Sequence, residues 1–123
     1  MAITRSGTGT AFANQAVTLN PATDANRAAM IRSSIWSTSA AVRLHSVPNG
    51  SYTVYLYTWE DNDLRSFKSR LEGTDVESAA GNLPLGGWKK YGPYPVAVSD
   101  GALNVDLVRV NGDVHLMGMA VFK

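Results

Sequence analysis

The chain has 123 residues, of which 45% are hydrophobic and 17% are charged, a composition typical of one globular domain. Its net charge of +1 provides no general attraction to nucleic acid or to an anionic membrane, and its basic residues are scattered among acidic ones. There is no cysteine, which excludes disulfides, thiol nucleophiles and cysteine metal ligands. The sequence therefore predicts neither a nucleic-acid partner nor a membrane partner.

The N-terminal segment MAITRSGTGT lacks the charged and apolar regions of a signal peptide. No apolar run approaches the roughly 18 residues that a membrane span requires. The chain is therefore either cytoplasmic or cut out of a longer exported protein. In both cases residues 1–123 are predicted to form a single domain.

A short helix is predicted near residues 24–36, within the stretch TDANRAAMIRSSIWS. Thr23 or Asp24 can cap its N-terminus, its body is rich in alanine, and apolar residues recur near helical spacing as far as Ile35. The helix would end at Trp36. We expect it to pack across one end of the domain.

The other regular segments alternate between apolar and polar residues, which is typical of half-buried β-strands. Asn-Gly and Asp-Gly pairs at 49–50, 100–101 and 111–112 favour tight hairpins between antiparallel strands. The predicted strands are 40–46, 51–59, 65–71, 94–98, 102–110 and 114–122. About seven to nine strands at this spacing indicate an all-β fold, an antiparallel β-sandwich of the jelly-roll kind. Residues 74–90, which are rich in glycine, are predicted to form a long loop.

The stretch SYTVYLYTWEDN, residues 51–62, has two dissimilar strand faces. Side chains alternate along a strand, so Tyr52, Val54 and Leu56 share one face, which we assign to the core. The opposite face carries Tyr55, Tyr57 and Trp59. Three aromatic rings on the face away from the core, followed directly by acidic residues, indicate a binding surface.

The sequence carries no catalytic signature. The two histidines, His45 and His115, lie in predicted strands and accompany none of the known catalytic motifs. Glu60, Asp61 and Asp63 are neighbours on one short loop, whereas a glycosidase places its two carboxylates on either side of the substrate. The sequence therefore predicts a non-enzyme, with a small glycosidase as an alternative.

The same acidic loop offers oxygen ligands of the kind that calcium prefers, at Asp61 and Asp63. It lacks the glycine and the distal glutamate of an EF-hand. A structural calcium ion and a solvated turn are the two interpretations of this loop. No other cofactor is indicated.

Aromatic residues are the most informative class, because an aromatic plane stacks on the apolar face of a pyranose ring while polar side chains bind its hydroxyls. The predicted stacking platforms are Trp59, Trp88 and Tyr57. Trp36, Tyr55, Tyr91 and Tyr94 are second candidates. The predicted polar contacts are Glu60, Asp61, Asn62 and Asp113. The alternative is structural: these rings would form cross-strand pairs or lie beneath a loop.

Four segments in the second half of the chain resemble malectin and malectin-like domains. YTVYLYTWED is similar to their Y-x-V-x-L-x-F-A-E strand, and RSFKSRLEG is similar to R-x-F-x-V-x-I-N-G. VAVSDGALNVDL is similar to their V-x-V-x-D-G-x-L-N-I-x-L hairpin, and HLMGMAVFK to the last strand. These segments follow one another in the family order over residues 52–123, whereas residues 1–50 do not match.

The resemblance implies a jelly-roll sandwich that binds carbohydrate, of a kind also appended to secreted bacterial glycoside hydrolases. It implies sugar contacts within residues 59–62 and at Asp113, and it leaves Glu60 as either structural or sugar-binding. An extended aromatic row favours β-glucan chains such as amorphous cellulose, mixed-linkage glucan or xyloglucan. The expectation is an extracellular, non-catalytic module tethered to a glycosidase. The alternative is a protein-interaction domain that uses the same aromatic face.

Overall fold

The computed structural model describes residues 2–7, 12–13, 17–62 and 64–123. Over these residues the chain forms one helix, α1, at Ala25–Ile31, and eleven strands. The strands are β1 (Ile3–Gly7), β2 (Phe12–Ala13), β3 (Ser33–Ser37), β4 (Ser39–His45), β5 (Gly50–Trp59), β6 (Ser66–Leu71), β7 (Thr74–Gly81), β8 (Trp88–Val98), β9 (Ala102–Asn111), β10 (Val114–Leu116) and β11 (Gly118–Phe122).

The strands pair in antiparallel fashion in three sheets. A five-stranded sheet has the order β1-β4-β9-β6-β7, and a three-stranded sheet has the order β11-β5-β8. A smaller three-stranded sheet has the order β10-β3-β2. Neighbouring strands are mostly distant in sequence, because the chain crosses between the sheets, as it does in jelly rolls. The predicted hairpins at the three glycine turns are wrong, because each turn joins strands of two different sheets. The predicted all-β sandwich is confirmed.

The main core contains the apolar residues that alternation assigns to the inner faces of both large sheets. Val54 of β5 and Val105 of β9 are fully buried within it. Tyr52 is also buried, and its hydroxyl donates a hydrogen bond to the Pro48 carbonyl at 2.6 Å. The predicted inner face of β5 is therefore confirmed.

A second apolar cluster covers the outer face of β5. Ile31 from α1 and Leu19 from the preceding segment are buried there, together with Tyr57 and Trp59. Met117, which lies between β10 and β11, completes the buried part of the cluster. The prediction that this strand face forms an exposed aromatic surface is wrong. Both faces of β5 are covered, so apolar residues occupy both.

The helix is shorter than predicted. Asp24 is its N-cap, as expected, and the carboxylate accepts the Arg27 backbone N–H at 2.9 Å. The helix ends at Ile31, with Arg32 as its C-cap, and residues 33–36 belong to β3. Serine competes with helical backbone hydrogen bonds, and pairing with β10 provides residues 35–37 with another set of partners. Trp36 therefore lies on a strand.

The predicted loop at 74–90 is mostly strand. β7 occupies its first half and β8 begins at Trp88, which leaves residues 82–87 as the connection. β7 is an edge strand that pairs with β6, and its largely exposed polar residues conceal the alternation that would identify it. The last predicted strand, 114–122, is divided at Met117, where the chain moves from the small sheet to the sheet containing β5. Within the described part of the chain, no helix has the length and apolar character that crossing a bilayer requires.

Candidate functional site

An open cleft of about 290 Å³ lies beside the small sheet, with residues of β3 and β10 in its lining. Its walls come from three separate parts of the chain: β3, the segment that joins β5 to β6, and the β9–β10 turn with β10. The lining residues are Ser34, Trp36, Asp61, Asn62, Arg65, Asp113 and His115. The cleft thus combines an indole, two carboxyl groups, an amide, a guanidinium, an imidazole and a hydroxyl.

Trp36 provides the apolar surface of the cleft. It is 40% exposed, whereas its neighbours along β3, Ile35 and Ser37, are half-buried and buried. The antiparallel register places it directly opposite His115 on β10, and Ser34 lies two residues away on the same strand face. Indole, imidazole and hydroxyl therefore share one side of a two-stranded ribbon.

A buried ion pair fixes the loop that carries Asp61 and Asn62. The Arg65 Nε donates to Glu60 Oε2 at 3.1 Å, and the Arg65 Nη2 donates to the Asn62 side-chain oxygen at 2.5 Å. Burial raises the pKa of the Glu60 carboxyl, and the neighbouring Arg65 acts in the opposite direction. Glu60 is 2% exposed and does not line the cleft, so its predicted role as a sugar contact is wrong.

Two polar atoms at the cleft are buried without a protein partner. Among the residues that the structure describes, neither the Ser34 Oγ nor the His115 Nε2 has a hydrogen-bond partner. Their residues are only 5% and 2% exposed. Burial, with the Arg65 guanidinium as a second cause, lowers the pKa of His115 to about 3, so the imidazole is neutral near pH 7. The ring packs edge-on against Phe67 with the centroids 5.8 Å apart.

The structure brings together four of the residues predicted from the sequence: Trp36, Asp61, Asn62 and Asp113. It buries Trp59 and Tyr57, the two aromatic residues on β5 that are predicted as stacking platforms. Trp59 is 1% exposed, and its indole N–H donates to the Gly86 carbonyl at 3.0 Å. Tyr57 is 6% exposed and stacks against Trp88, with the ring centroids 6.3 Å apart. The prediction of both as sugar platforms is wrong, because neither ring presents a face to solvent.

Tyr91 is also buried, and its predicted role in sugar binding is wrong for the same reason. Its hydroxyl accepts the Gly81 N–H at 3.0 Å on the inner side of the sandwich. Trp88 and Tyr94 are half-buried; the Trp88 indole N–H donates to the Pro21 carbonyl at 2.6 Å and the Tyr94 hydroxyl to Glu77 at 2.8 Å. Tyr55 is half-buried beneath the Lys90 ammonium, which lies 4.0 Å from the ring centroid. None of these four residues lines the cleft, and a sugar contact at the three half-buried ones stays a prediction.

Sequence reasoning missed three lining residues: Ser34, Arg65 and His115. Alternation within VHL places His115 on the strand face opposite Val114 and Leu116, and a strand histidine alone gives no indication of a ligand. Ser34 was assigned to the helix, which concealed its strand position. Arg65 was assigned to the start of a strand, and its pairing with Glu60 depends on the loop geometry.

The predicted calcium ligands are only partly described. Asp61 is buried and lines the cleft, whereas Asp63 lies outside the described residues. Within the described ranges there is no group of three or more histidine or acidic side chains that could hold a metal ion.

Comparisons with known proteins give a likeness in fold and none in sequence. Neither a protein-family model nor a curated protein matches the chain. Among solved structures, β-glucuronidase 2 of Bacteroides uniformis, covalently bound to cyclophellitol-6-carboxylate aziridine, aligns with a TM-score of 0.79 and 13% identity. The alignment covers 94% of this chain and 13% of that one.

Two plant structures are similar to the same extent. The receptor-like kinase ANX2 aligns with a TM-score of 0.77 and 13% identity, over 98% of this chain and 39% of that chain. The extracellular domain of ANXUR1 from Arabidopsis thaliana aligns with a TM-score of 0.77 and 12% identity, over 98% and 40%. The chain therefore spans a minor part of each of these three proteins. At these identities the likeness establishes the fold, and the β-sandwich implied by the malectin resemblance is confirmed.

Proposed function

We propose that the chain is a non-catalytic carbohydrate-binding module and that the cleft around Trp36 holds the sugar. One observation carries the proposal: an exposed indole stands beside buried polar atoms that have no partner among the described residues. A pyranose has the matching surfaces, because its apolar face stacks on an indole while its hydroxyl groups both donate and accept hydrogen bonds. The likeness of the fold to part of a β-glucuronidase supports this proposal.

The size of the cleft limits the ligand. A volume of about 290 Å³ is at the lower end of the range for small-molecule sites. With one exposed indole in its wall, the cleft suits one or two sugar rings. Stacking contributes about 1 kcal/mol per ring, so millimolar to micromolar dissociation constants are expected. Such weak binding is sufficient for a polysaccharide that offers many sites.

We propose β-glucans as the first ligands to test, namely amorphous cellulose, mixed-linkage glucan and xyloglucan. The module would be one domain of a longer, extracellular protein and would concentrate a tethered glycoside hydrolase on its substrate. The long aromatic row that favoured binding along a glucan chain is covered in the folded protein. A glucan would therefore be recognised through the individual sugar rings that stack on Trp36.

The test is retardation in native gels that contain each polysaccharide, for the wild type and for Trp36→Ala. Phe122→Ala is the matched control, because Phe122 is 57% exposed and does not line the cleft. We expect at least one glycan to slow the wild type and Phe122→Ala, and to leave Trp36→Ala unretarded. Absence of retardation by every glycan, or equal retardation of all three proteins, would contradict the proposal. Release of reducing sugar by the wild type would contradict the non-catalytic part.

A protein-interaction domain is the second candidate, and a different surface favours it. An apolar groove of about 520 Å³ lies at the edge of the sandwich where β1 faces β11. Ile3, Leu44, Met119 and Val121 are among its lining residues, and Ile3 is 62% exposed. Failure of all glycans in the gel assay would leave this candidate as the better interpretation.

A further inference from the structure

We infer that Ser34 and His115 recognise ligand hydroxyl groups at the base of the cleft, and that the site selects uncharged sugars over uronic acids. The inference rests on the proposed function and adds to it the chemical class of the ligand. Its physical basis, within the described ranges of the chain, is the combination of two buried polar atoms without partners and a lining that is richer in carboxyl groups than in cations.

Two buried polar atoms beside the cleft have no hydrogen-bond partner among the described residues. A buried polar atom without a hydrogen bond is costly, and native proteins rarely retain one without a reason. Here two such atoms, the Ser34 Oγ and the His115 Nε2, belong to residues that line the same cleft. Their positions follow from the register, because His115 lies opposite Trp36 and Ser34 lies two residues along β3. A ring stacked on the Trp36 indole would bring its hydroxyl groups close to both atoms.

A ligand group that bonds to both atoms must match their capacity to donate and accept hydrogen bonds. A serine hydroxyl donates and accepts, and a neutral imidazole nitrogen does one or the other according to its tautomer. A sugar hydroxyl suits either case, whereas a carboxylate only accepts and an ammonium only donates. Burial lowers the pKa of His115 to about 3, so the imidazole stays neutral between pH 5 and pH 8. A ligand hydroxyl group can therefore bond to both atoms, whichever tautomer His115 adopts and throughout this pH range.

The charged side chains of the lining disfavour an acidic ligand. Among the lining residues that the structure describes, Asp61 and Asp113 contribute two carboxyl groups and Arg65 contributes the one cation. The guanidinium is already engaged by the Glu60 carboxylate at 3.1 Å and by the Asn62 side-chain oxygen. A uronic acid placed in the cleft would therefore bring a third carboxylate to the lining without an uncommitted cation to receive it. The cleft favours neutral sugars for this reason.

The test uses calorimetric titration with the trimer of β-1,4-linked glucose and with its charged counterpart, the trimer of β-1,4-linked glucuronic acid. Ser34→Ala is expected to bind the glucose trimer about fivefold more weakly, the effect of one lost hydrogen bond. His115→Phe keeps an aromatic ring beside Phe67 and is expected to weaken binding to a similar extent. The wild type is expected to bind the glucuronic acid trimer at least about tenfold more weakly than the glucose trimer, and Asp113→Asn is expected to narrow that difference.

Thr58→Val is the matched control. Thr58 also carries a buried hydroxyl that has no partner among the described residues, but it does not line the cleft. Thr58→Val and Ser34→Ala are both expected to unfold at the wild-type temperature or slightly above it, because neither loses a protein hydrogen bond. Only Ser34→Ala is expected to lose affinity, a pattern that a purely structural serine would not give.

The outcomes separate this inference from the proposed function. If Trp36→Ala abolishes glycan retardation while Ser34→Ala and His115→Phe bind like the wild type, the hydroxyl assignment is overturned and the proposed function stands. If the two trimers bind equally well, or if only the charged one binds, the selectivity is overturned. If a polysaccharide retards the wild type but neither trimer binds, the inference is overturned as well.

Discussion

The Glu60 carboxylate and the Arg65 guanidinium form a buried ion pair, with Oε2 and Nε 3.1 Å apart, beneath the loop that forms one wall of the cleft. Their side chains are only 2% and 10% exposed, so each charge depends on the other for compensation. The pair therefore connects the stability of the sandwich to the shape of the site.

We predict that Glu60→Gln lowers the free energy of unfolding by about 3–5 kcal/mol, because it removes the buried carboxylate that compensates the charge of the Arg65 guanidinium. Asp75→Asn is the control, since the Arg70–Asp75 pair is 40% and 44% exposed and its loss is expected to cost less than about 1 kcal/mol. Urea denaturation of the two variants measures the difference. Equal, small losses would show that the buried pair has no special role.

We predict that Trp59→Ala lowers the free energy of unfolding by about 3–5 kcal/mol, as truncation of a large core side chain does. Trp36→Ala is expected to change it by less than about 1 kcal/mol, because that indole is already 40% exposed. Thermal unfolding followed by circular dichroism measures both. A stable Trp59→Ala protein that has lost sugar binding would restore Trp59 as a ligand contact.

We predict that acid destabilises the protein partly through His115. In the unfolded chain this imidazole has its ordinary pKa near 6.5 and takes up a proton below that value, whereas the folded state keeps it neutral down to about pH 3. The unfolded state therefore binds more protons across this window, and stability falls as the pH falls through it, by up to about 1.4 kcal/mol per pH unit. The Arg65 guanidinium is the charged group that contributes to the shift.

The measurement compares urea denaturation between pH 7 and pH 4 for the wild type and for His115→Phe. The raised pKa of Glu60 has the opposite effect, because its protonation favours the folded state, but that effect is common to both proteins. The wild type is expected to lose more stability than His115→Phe over this range. Parallel curves would mean that His115 has the same pKa in the folded and unfolded states, which would contradict the prediction.

We predict that Gly81→Ala is more destabilising than Gly73→Ala. Both glycines have positive φ, +84° and +77°, which costs an alanine about 1 kcal/mol. A Cβ at Gly81 would also lie 2.6 Å from the Arg65 carbonyl oxygen, whereas a Cβ at Gly73 would meet nothing within 4 Å. We expect an additional loss of about 1–3 kcal/mol at Gly81, measured by urea denaturation. Equal losses would show that the backbone beside Arg65 yields without cost.

Local pattern was sufficient to predict the strands β4, β5, β6 and β9, the inner face of β5, and a helix cap at Thr23 or Asp24, because each depends on neighbours in sequence. The covering of the outer face could not be predicted. It depends on Leu19 and Met117, which lie far from β5 in sequence and meet it only in the folded chain. An aromatic row that will be buried by distant segments has the same local pattern as one that will bind a sugar.

Only part of the site could be predicted, because some of its residues meet through contacts between segments that are distant in sequence. The resemblance to malectin directed attention to the residues after β5 and to Asp113, and the structure places Asp61, Asn62 and Asp113 in one cleft. Ser34 and His115 join them through the pairing of β3 with β10, a long-range contact that a misassigned helix had concealed.

The unequal exposure of the three tryptophans gives the protein an intrinsic fluorescent reporter. Trp59 is 1% exposed, Trp88 is half-buried, and Trp36 is 40% exposed in the wall of the cleft. Acrylamide or iodide in the solvent should therefore quench Trp36 emission in preference to that of the other two. A sugar stacked on the indole would shield it and shift its emission to shorter wavelength. Ligand occupancy can thus be followed in the unlabelled protein, with Trp36→Phe as the silent reference.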